Sequence, residues 1–460
     1  MKGYDQHKVQ TVNIHNKSQN PRMKTKYAII FICIVALVII GKEINIISRV
    51  SDKLNKRQSP QQTPQTPQDE SNMTQNDLLA LLKALPSKWL GSRGNTNFSD
   101  EQELDDIDMY SYRGSRKHVL LMASTRTGSS FVGEFFNQHG ENMFYLFEPL
   151  WHVERMLATT AETNNGTGLG WIYRDVLRAL FLCDFSFLEK FISPPPNDHV
   201  TPALFRRESS LSLCDEPVCA PVNKDVFERY HCKTRRCGPL NLTLASQSCL
   251  SKQHHAIKTV RVRQLDTLQL LVQDPRLDVR VIQLVRDPRA ILASRMVAFS
   301  SQYKTWKAWA QDGLVPEDDE EVKRLKGNCD HVRISVEMGL SQPDWLKSRY
   351  MLVRYEDIAR YPMEKAEEMY RFAGIPFSSQ AREWILRNTQ TTQEASGIYS
   401  TQKNSSQQAE KWRHSIPFTL AQVVQKVCGP TMKLFGYKFV EDERTLINKS
   451  ISLLEDKQFY

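Results

Sequence analysis

An arginine, a glycine and a set of hydroxyl residues follow an apolar run at 118–123 (HVLLMA): Ser124, Thr125, Arg126, Thr127, Gly128, Ser129, Ser130 and Phe131. A helical pattern begins at once behind them, over 129–138. A strand that turns through small residues into a helix N-terminus is an anion site, because backbone N–H groups point into the turn. Gly128 permits close approach, Ser129 and Ser130 add hydroxyl donors, and Arg126 adds a permanent cation with a planar fork of donors. An ordinary capped helix start also favours Ser and Thr, but it does not ask for Arg-Thr-Gly-Ser-Ser together. A Mg-NTP loop is disfavoured: position 123 is Ala and no Lys follows Gly128, so G-x-x-x-x-G-K-[ST] is absent.

A second constellation lies at 286–295. A buried strand at 279–285 ends in Arg286, Asp287, Pro288, Arg289, Ala290, Ile291, Leu292, Ala293, Ser294 and Arg295. Pro288 suits the first turn of a helix and Asp287 its cap. Arg286 then stands at a strand's carboxyl end, where open α/β sheets bind ligands. With Ser294 about two turns on, an arginine and a hydroxyl can meet a second phosphate. Taken alone, the stretch equally describes a capped helix with basic surface residues.

A proton acceptor is needed if a hydroxyl is to be the nucleophile. Glu148 follows an apolar run at 143–147, so it belongs to the same sheet edge as the loop. Its neighbours Phe147, Leu150 and Trp151 predict a raised pKa. A structural Glu paired with Arg126 is the competing reading, and His152 is the alternative base. Lys258, Arg261 and Arg263 alternate along one segment and suit either an anionic acceptor or a solvated basic edge. Trp412 suits either an adenine face or the core. No metal-binding cluster is expected for the chemistry, and nucleic-acid motifs are absent.

The two runs 126–131 (RTGSSF) and 284–295 (LVRDPRAILASR) together resemble the PAPS-dependent sulfotransferases, in which the first holds the 5′-phosphosulfate and the second the 3′-phosphate of 3′-phosphoadenylyl sulfate (PAPS). Further runs at 146–154 (LFEPLWHVE), 235–241 (RRCGPLN), 353–357 (VRYED), 397–406 and 410–413 are similar to the Golgi galactose, N-acetylgalactosamine and N-acetylglucosamine 6-O-sulfotransferases. The chondroitin 6-sulfotransferases are the most similar branch. The resemblance spans about 117–440. It implies a P-loop-like α/β fold with a mainly parallel sheet, PAPS at 125–131 and at 286–294, and a glutamate base at Glu148. It also implies that Lys403, Lys411, Trp412 and Arg413 belong to a segment closing on the cofactor. Many relatives outside the Golgi branch carry Lys where this chain has Arg126; Arg donates no proton at neutral pH, so its role is electrostatic. The implied reaction is sulfation of the 6-hydroxyl of N-acetylgalactosamine in chondroitin, with galactose in keratan sulfate as the close alternative. A catalytically idle glycan-binding protein and a lumenal kinase are the readings from other classes.

The elements that must position these residues are strands at 118–123, 143–147, 256–260, 279–285 and 350–353. Helices are expected at 129–138, 174–191, 288–297, 320–339, 362–373 and 379–387. Strands interleaved with helices predict an α/β domain, here 113–460. A Cys- and Pro-rich stretch at 194–250 interrupts the rhythm and reads as a stapled insertion over the acceptor side. Before the domain, 58–68 (QSPQQTPQTPQ) cannot build a core, so 48–112 reads as a disordered stem with a short helix near 76–85. The uncharged run 27–41, extended to 47, reads as a transmembrane signal anchor behind a basic cytoplasmic tail at 1–26. Three features fit a type II Golgi membrane protein with a lumenal catalytic domain: that anchor, N-x-S/T triplets at Asn72, Asn97, Asn165, Asn241, Asn404 and Asn448, and an even set of eight cysteines beyond the anchor. The eight are expected as disulfides of open connectivity, with zinc at Cys214, Cys219, Cys232 and Cys237 as the lesser alternative. A formal charge of +9 suits a polyanionic partner.

Overall fold

Five short buried runs pair into one parallel sheet: β1 (Lys117–Ala123), β2 (Met143–Phe147), β3 (His254–Thr259), β4 (Val279–Val285) and β5 (Tyr350–Arg354), in the order β2-β3-β1-β4-β5. The computed structural model describes residues 116–151, 153–154, 170–186, 207–219, 232, 237, 240–389 and 405–459. The expected tail, anchor, stem and stem helix, together with His152 and Lys403, lie outside the described residues. Among the described residues no helix is long and apolar enough to cross a membrane.

Alternation along β1 shows why the sheet sits in the middle. Leu120 and Met122 pack into one core, Val119, Leu121 and Ala123 into the other, because successive side chains leave a strand on opposite faces. Helices cover both faces. The first core takes α2 (Gly170–Phe181), α3 (Leu242–Ser251), α4 (Pro288–Ala298), α5 (Lys304–Asp312), α6 (Glu320–Leu340) and, further along, α10 (Phe418–Phe435). The second takes α1 (Ser129–Asn137), α7 (Tyr355–Arg360), α8 (Pro362–Ala373) and α9 (Ser379–Thr389).

Local chemistry fixes the element that matters most. α4 starts where Asp287 Oδ1 accepts from the Arg289 N–H at 2.9 Å, with Pro288 in the first turn. Because every strand is parallel, all five carboxyl ends lie along one edge, with the 124–128 loop, Glu148, Arg261 and Arg286 beyond them.

The eight cysteines among the described residues form four disulfides: Cys183–Cys249, Cys214–Cys232, Cys219–Cys237 and Cys329–Cys428. The zinc alternative is thereby set aside, since each thiolate it needs is consumed in a bridge. One described stretch of the insertion, 207–219, seals the outer edge of β2. Ser212 Oγ accepts from Tyr145 N–H at 2.8 Å and Ser210 Oγ from Phe147 N–H at 3.0 Å. Those two donors would otherwise form an unpaired strand edge.

Candidate active site

The loop after β1 closes on itself and leaves a helix end open. Thr127 Oγ1 donates to Ser124 O at 2.8 Å, and Thr127 is buried, so its hydroxyl serves the turn. Arg126 (φ 74°) and Gly128 (φ 90°) both adopt left-handed backbone. Gly128 is the N-cap of α1 and brings no side chain to its first N–H groups. A Cβ there would also collide with the Tyr355 ring. The open first turn is therefore a site for negative charge.

The second motif meets this loop although 160 residues separate Arg286 from Arg126. Arg286 Nη1 donates to Arg126 O at 3.1 Å, and Arg126 Nε donates to Ser294 Oγ at 3.0 Å. Arg295 clamps the loop from beside it, with Nε and Nη2 on Thr125 O at 3.2 and 3.1 Å. The Arg286 guanidinium lies 4.5 Å over the Tyr355 ring. Its Nε is buried with no hydrogen-bond partner among the described residues, a donor that an anionic ligand would satisfy. Two guanidinium groups, a hydroxyl and an open helix N-terminus fit a ligand bearing phosphate or sulfate groups.

The rest of 286–294 serves the framework. Arg289 is fully buried: Nε and Nη2 meet Asp287 at 3.0 and 2.6 Å, Nη1 meets Gln425 Oε1 at 2.8 Å, and Trp412 lies 5.1 Å away. Asp287, Pro288, Ala290, Leu292 and Ala293 are buried with it, and Ile291 is half-buried. The side chains of Asp287 and Arg289 are thus spent on each other, and Arg286 and Ser294 are the ones that meet the loop. Trp412 is a core residue. Arg413, also buried, holds the carbonyls of Thr445, Leu446, Asn448 and Ile451 and so anchors the C-terminal segment.

Glu148 stands where the sequence places it, past the end of β2, in left-handed backbone (φ 54°) that costs a non-glycine residue about 1 kcal/mol. Its electrostatics correct the expectation of a raised pKa. Burial pushes the carboxyl up, but Lys258 Nζ at 2.5 Å and Arg261 Nη1 at 2.6 Å outweigh it, and the net shift is downward. Glu148 is ionised and doubly paired, with Lys258 and Arg261 as its partners. Lys258 is buried inside β3, so it is not part of a solvated basic edge. Arg261 bridges Glu148 to Glu154, at 3.0 Å through Nε, and Arg263 is exposed. β3 separates β2 from β1, so Glu148 lies two strand spacings, about 10 Å, from the loop across the sheet.

Along the carboxyl ends of β1, β3 and β4 opens a cleft of about 490 Å³, whose lining includes Thr125, Glu154, Arg261, Arg263, Arg295 and Arg324; Glu148 borders it only through its partner Arg261. Its charge is mainly positive. Sequence reasoning missed Glu154, Arg295, Arg324 and Tyr355 as site residues. Arg295 was within reach, since it follows Ser294 directly. Arg324 sits in a charge-rich helix and carried no signal of its own.

The sulfotransferase domain description matches residues 116–436. The chain belongs to that family. Sulfotransferases similar to it include human carbohydrate sulfotransferase 3, 54% identical over 95% of this chain and 95% of the relative. Carbohydrate sulfotransferase 3 of Tetronarce californica is 51% identical, covering 95% and 99%. Mouse carbohydrate sulfotransferase 1 is 46% identical, covering 78% and 89%. The α/β architecture with its parallel sheet is therefore a sulfotransferase fold, as the paired motifs implied.

Proposed function

We propose that this sulfotransferase takes PAPS as donor and sulfates the 6-hydroxyl of N-acetylgalactosamine in chondroitin, in the Golgi lumen. The observation that carries the donor assignment is the convergence of Arg126, Arg286 and Ser294 on one loop. Thr125–Phe131 would hold the 5′-phosphosulfate, and Arg286 with Ser294 the 3′-phosphate. When bound, PAPS supplies the sulfuryl group. Arg126 and the α1 N-terminus then stabilise negative charge on the departing phosphate side, as preorganised donors do in group transfer. Arg126 does this as a fixed charge, because its proton stays on.

Glu148 is the proposed proton acceptor. A carboxylate held below its usual pKa takes a proton less readily. The role therefore requires acceptor binding to loosen Glu148 from Lys258 or Arg261, whose positive ends also suit the acceptor's uronates. The mainly basic cleft and the carbohydrate sulfotransferase relatives support an anionic sugar polymer as acceptor. The lumenal placement rests on the apolar run 27–41, the four disulfides and the exposed acceptor triplets at Asn241 and Asn448.

The deciding measurement is transfer of labelled sulfate from PAPS to chondroitin and to keratan sulfate, followed by disaccharide analysis. Label at carbon 6 of N-acetylgalactosamine is expected. Label confined to keratan galactose overturns the acceptor, and no label in either polymer overturns the function. Phosphate transfer from ATP in the same assay would restore the kinase reading.

A further inference from the structure

A second groove, of about 740 Å³, borders the cleft, and both are lined by Phe299 and Gln302. The two depressions are therefore neighbours across the turn between α4 and α5. The new groove carries Lys304 and Lys307, and no carboxylate belongs to its lining. These lysines are one turn apart on α5, so they share a face. Trp306 and Trp309 are buried on the same helix, which fixes which side of α5 turns inward. Lys307 Nζ donates to a neutral partner, Ser300 Oγ, at 2.6 Å.

Basic residues on α6 are arranged differently. Lys323 meets Glu320, Arg324 meets Glu321, Lys326 meets Asp330 and Arg333 meets Glu337, each within its own helix. Such pairs weaken their field locally, Arg324 of the cleft included, whereas the lysines of the groove have no carboxylate in its lining and add to the positive cleft beside them. No residue of the 124–131 loop lines this groove, so its charge lies outside the proposed donor site, where a long polyanion can use it.

We propose that the acceptor polymer leaves the cleft over Phe299 and Gln302 and lies along this groove, where Lys304 and Lys307 hold anionic groups of sugars outside the reacting unit. The proposal rests on the anionic-polymer reading above and adds an extended subsite to it. It makes polymer length a determinant of affinity, since a short acceptor fills only the cleft.

The experiment compares wild type with the K304A/K307A double variant on polymeric chondroitin and on a chondroitin tetrasaccharide. The variant is expected to raise KM for the polymer about fivefold to tenfold, the size of two modest surface charge contacts. KM for PAPS and for the tetrasaccharide is expected to hold. K304R/K307R is expected to restore the polymer KM, and added salt to raise it more steeply in wild type than in the alanine variant. An unchanged polymer KM in K304A/K307A, or equal losses on polymer and tetrasaccharide, overturns the extended subsite and leaves the acceptor reading standing. Wild-type enzyme that sulfates neither chondroitin substrate overturns that reading and the subsite with it.

Discussion

Glu148 shows what a residue's own surroundings in sequence can and cannot tell. Its place past a strand end follows from the apolar run before it, and so does its burial. Its ionisation does not, because Lys258 and Arg261 come 110 and 113 residues later and arrive only through the β2–β3 pairing. Phe147, Leu150 and Trp151 argue for a neutral acid, and two cations, one on the neighbouring strand and one just past its end, decide otherwise. Arg286 and Ser294 were legible for the opposite reason: both partners sit on one strand–helix junction whose geometry Asp287 and Pro288 announce. For E148Q, kcat is expected to fall about 10²- to 10⁴-fold with KM for PAPS retained. Removing one member of a buried pair also costs about 3–5 kcal/mol, so the measurement needs a thermal melt and the E148Q/K258M variant beside it. That double variant removes the orphaned Lys258 charge, while Arg261 keeps Glu154, and is expected to regain stability without activity. Turnover near wild type in a folded E148Q would remove Glu148 from the mechanism.

The five strands were legible to within two residues because four are short, mostly apolar runs, and β3 (HHAIKT), the least apolar, is the one whose start was placed two residues late. Several helices were not. Lys304–Asp312 is short and polar on its outer side, and Tyr355–Arg360 follows β5 with no connecting turn. Phe418–Phe435 contains Pro430, a residue that argues against a helix interior. Helix 174–191 was expected to run on, but α2 ends at Phe181, where Cys183 takes left-handed backbone and its bridge to Cys249. The seal on β2 was equally hidden, since serines 63 and 67 residues away carry no strand signal. It predicts an element-level effect. Ser212→Ala strips the buried Tyr145 N–H of its acceptor and is expected to cost about 1–3 kcal/mol in urea unfolding. Ser341→Ala, at an exposed hydroxyl, is the control and is expected to stay within about 0.5 kcal/mol. Equal stability of the two variants would mean that the insertion is not what closes this edge.

Among the described residues the candidate site lies on one edge of the sheet and a buried set of histidines at the other. His118, the second residue of β1, stands opposite His255 of β3, with His254 beside Lys117. Burial is the leading cause in each case. It pulls His118 down to about 3 and His254 to about 4, while His255 falls well below its ordinary value, with Arg116 adding to the effect. An unfolded chain protonates these rings near pH 6.5, but the folded protein does not. The unfolded state therefore binds more protons below that pH, and stability is lost as pH falls from 6.5 towards 3. Each such ring contributes about 1.4 kcal/mol per pH unit. Glu356 acts in the other direction. Burial pushes it up to about 7 beneath Asp287 N–H and Tyr437 OH, so its contribution is full below 4.5 and lost as pH rises through 7. The two trends oppose each other between 4.5 and 6.5, and three histidines outweigh one glutamate. A series of melts from pH 7 to pH 4 is expected to show a falling Tm, with a shallower fall in His118→Leu, which removes one proton from the balance. Identical slopes in wild type and His118→Leu would show that the acid sensitivity arises elsewhere, and a flat wild-type profile would show that the histidine edge does not limit the fold.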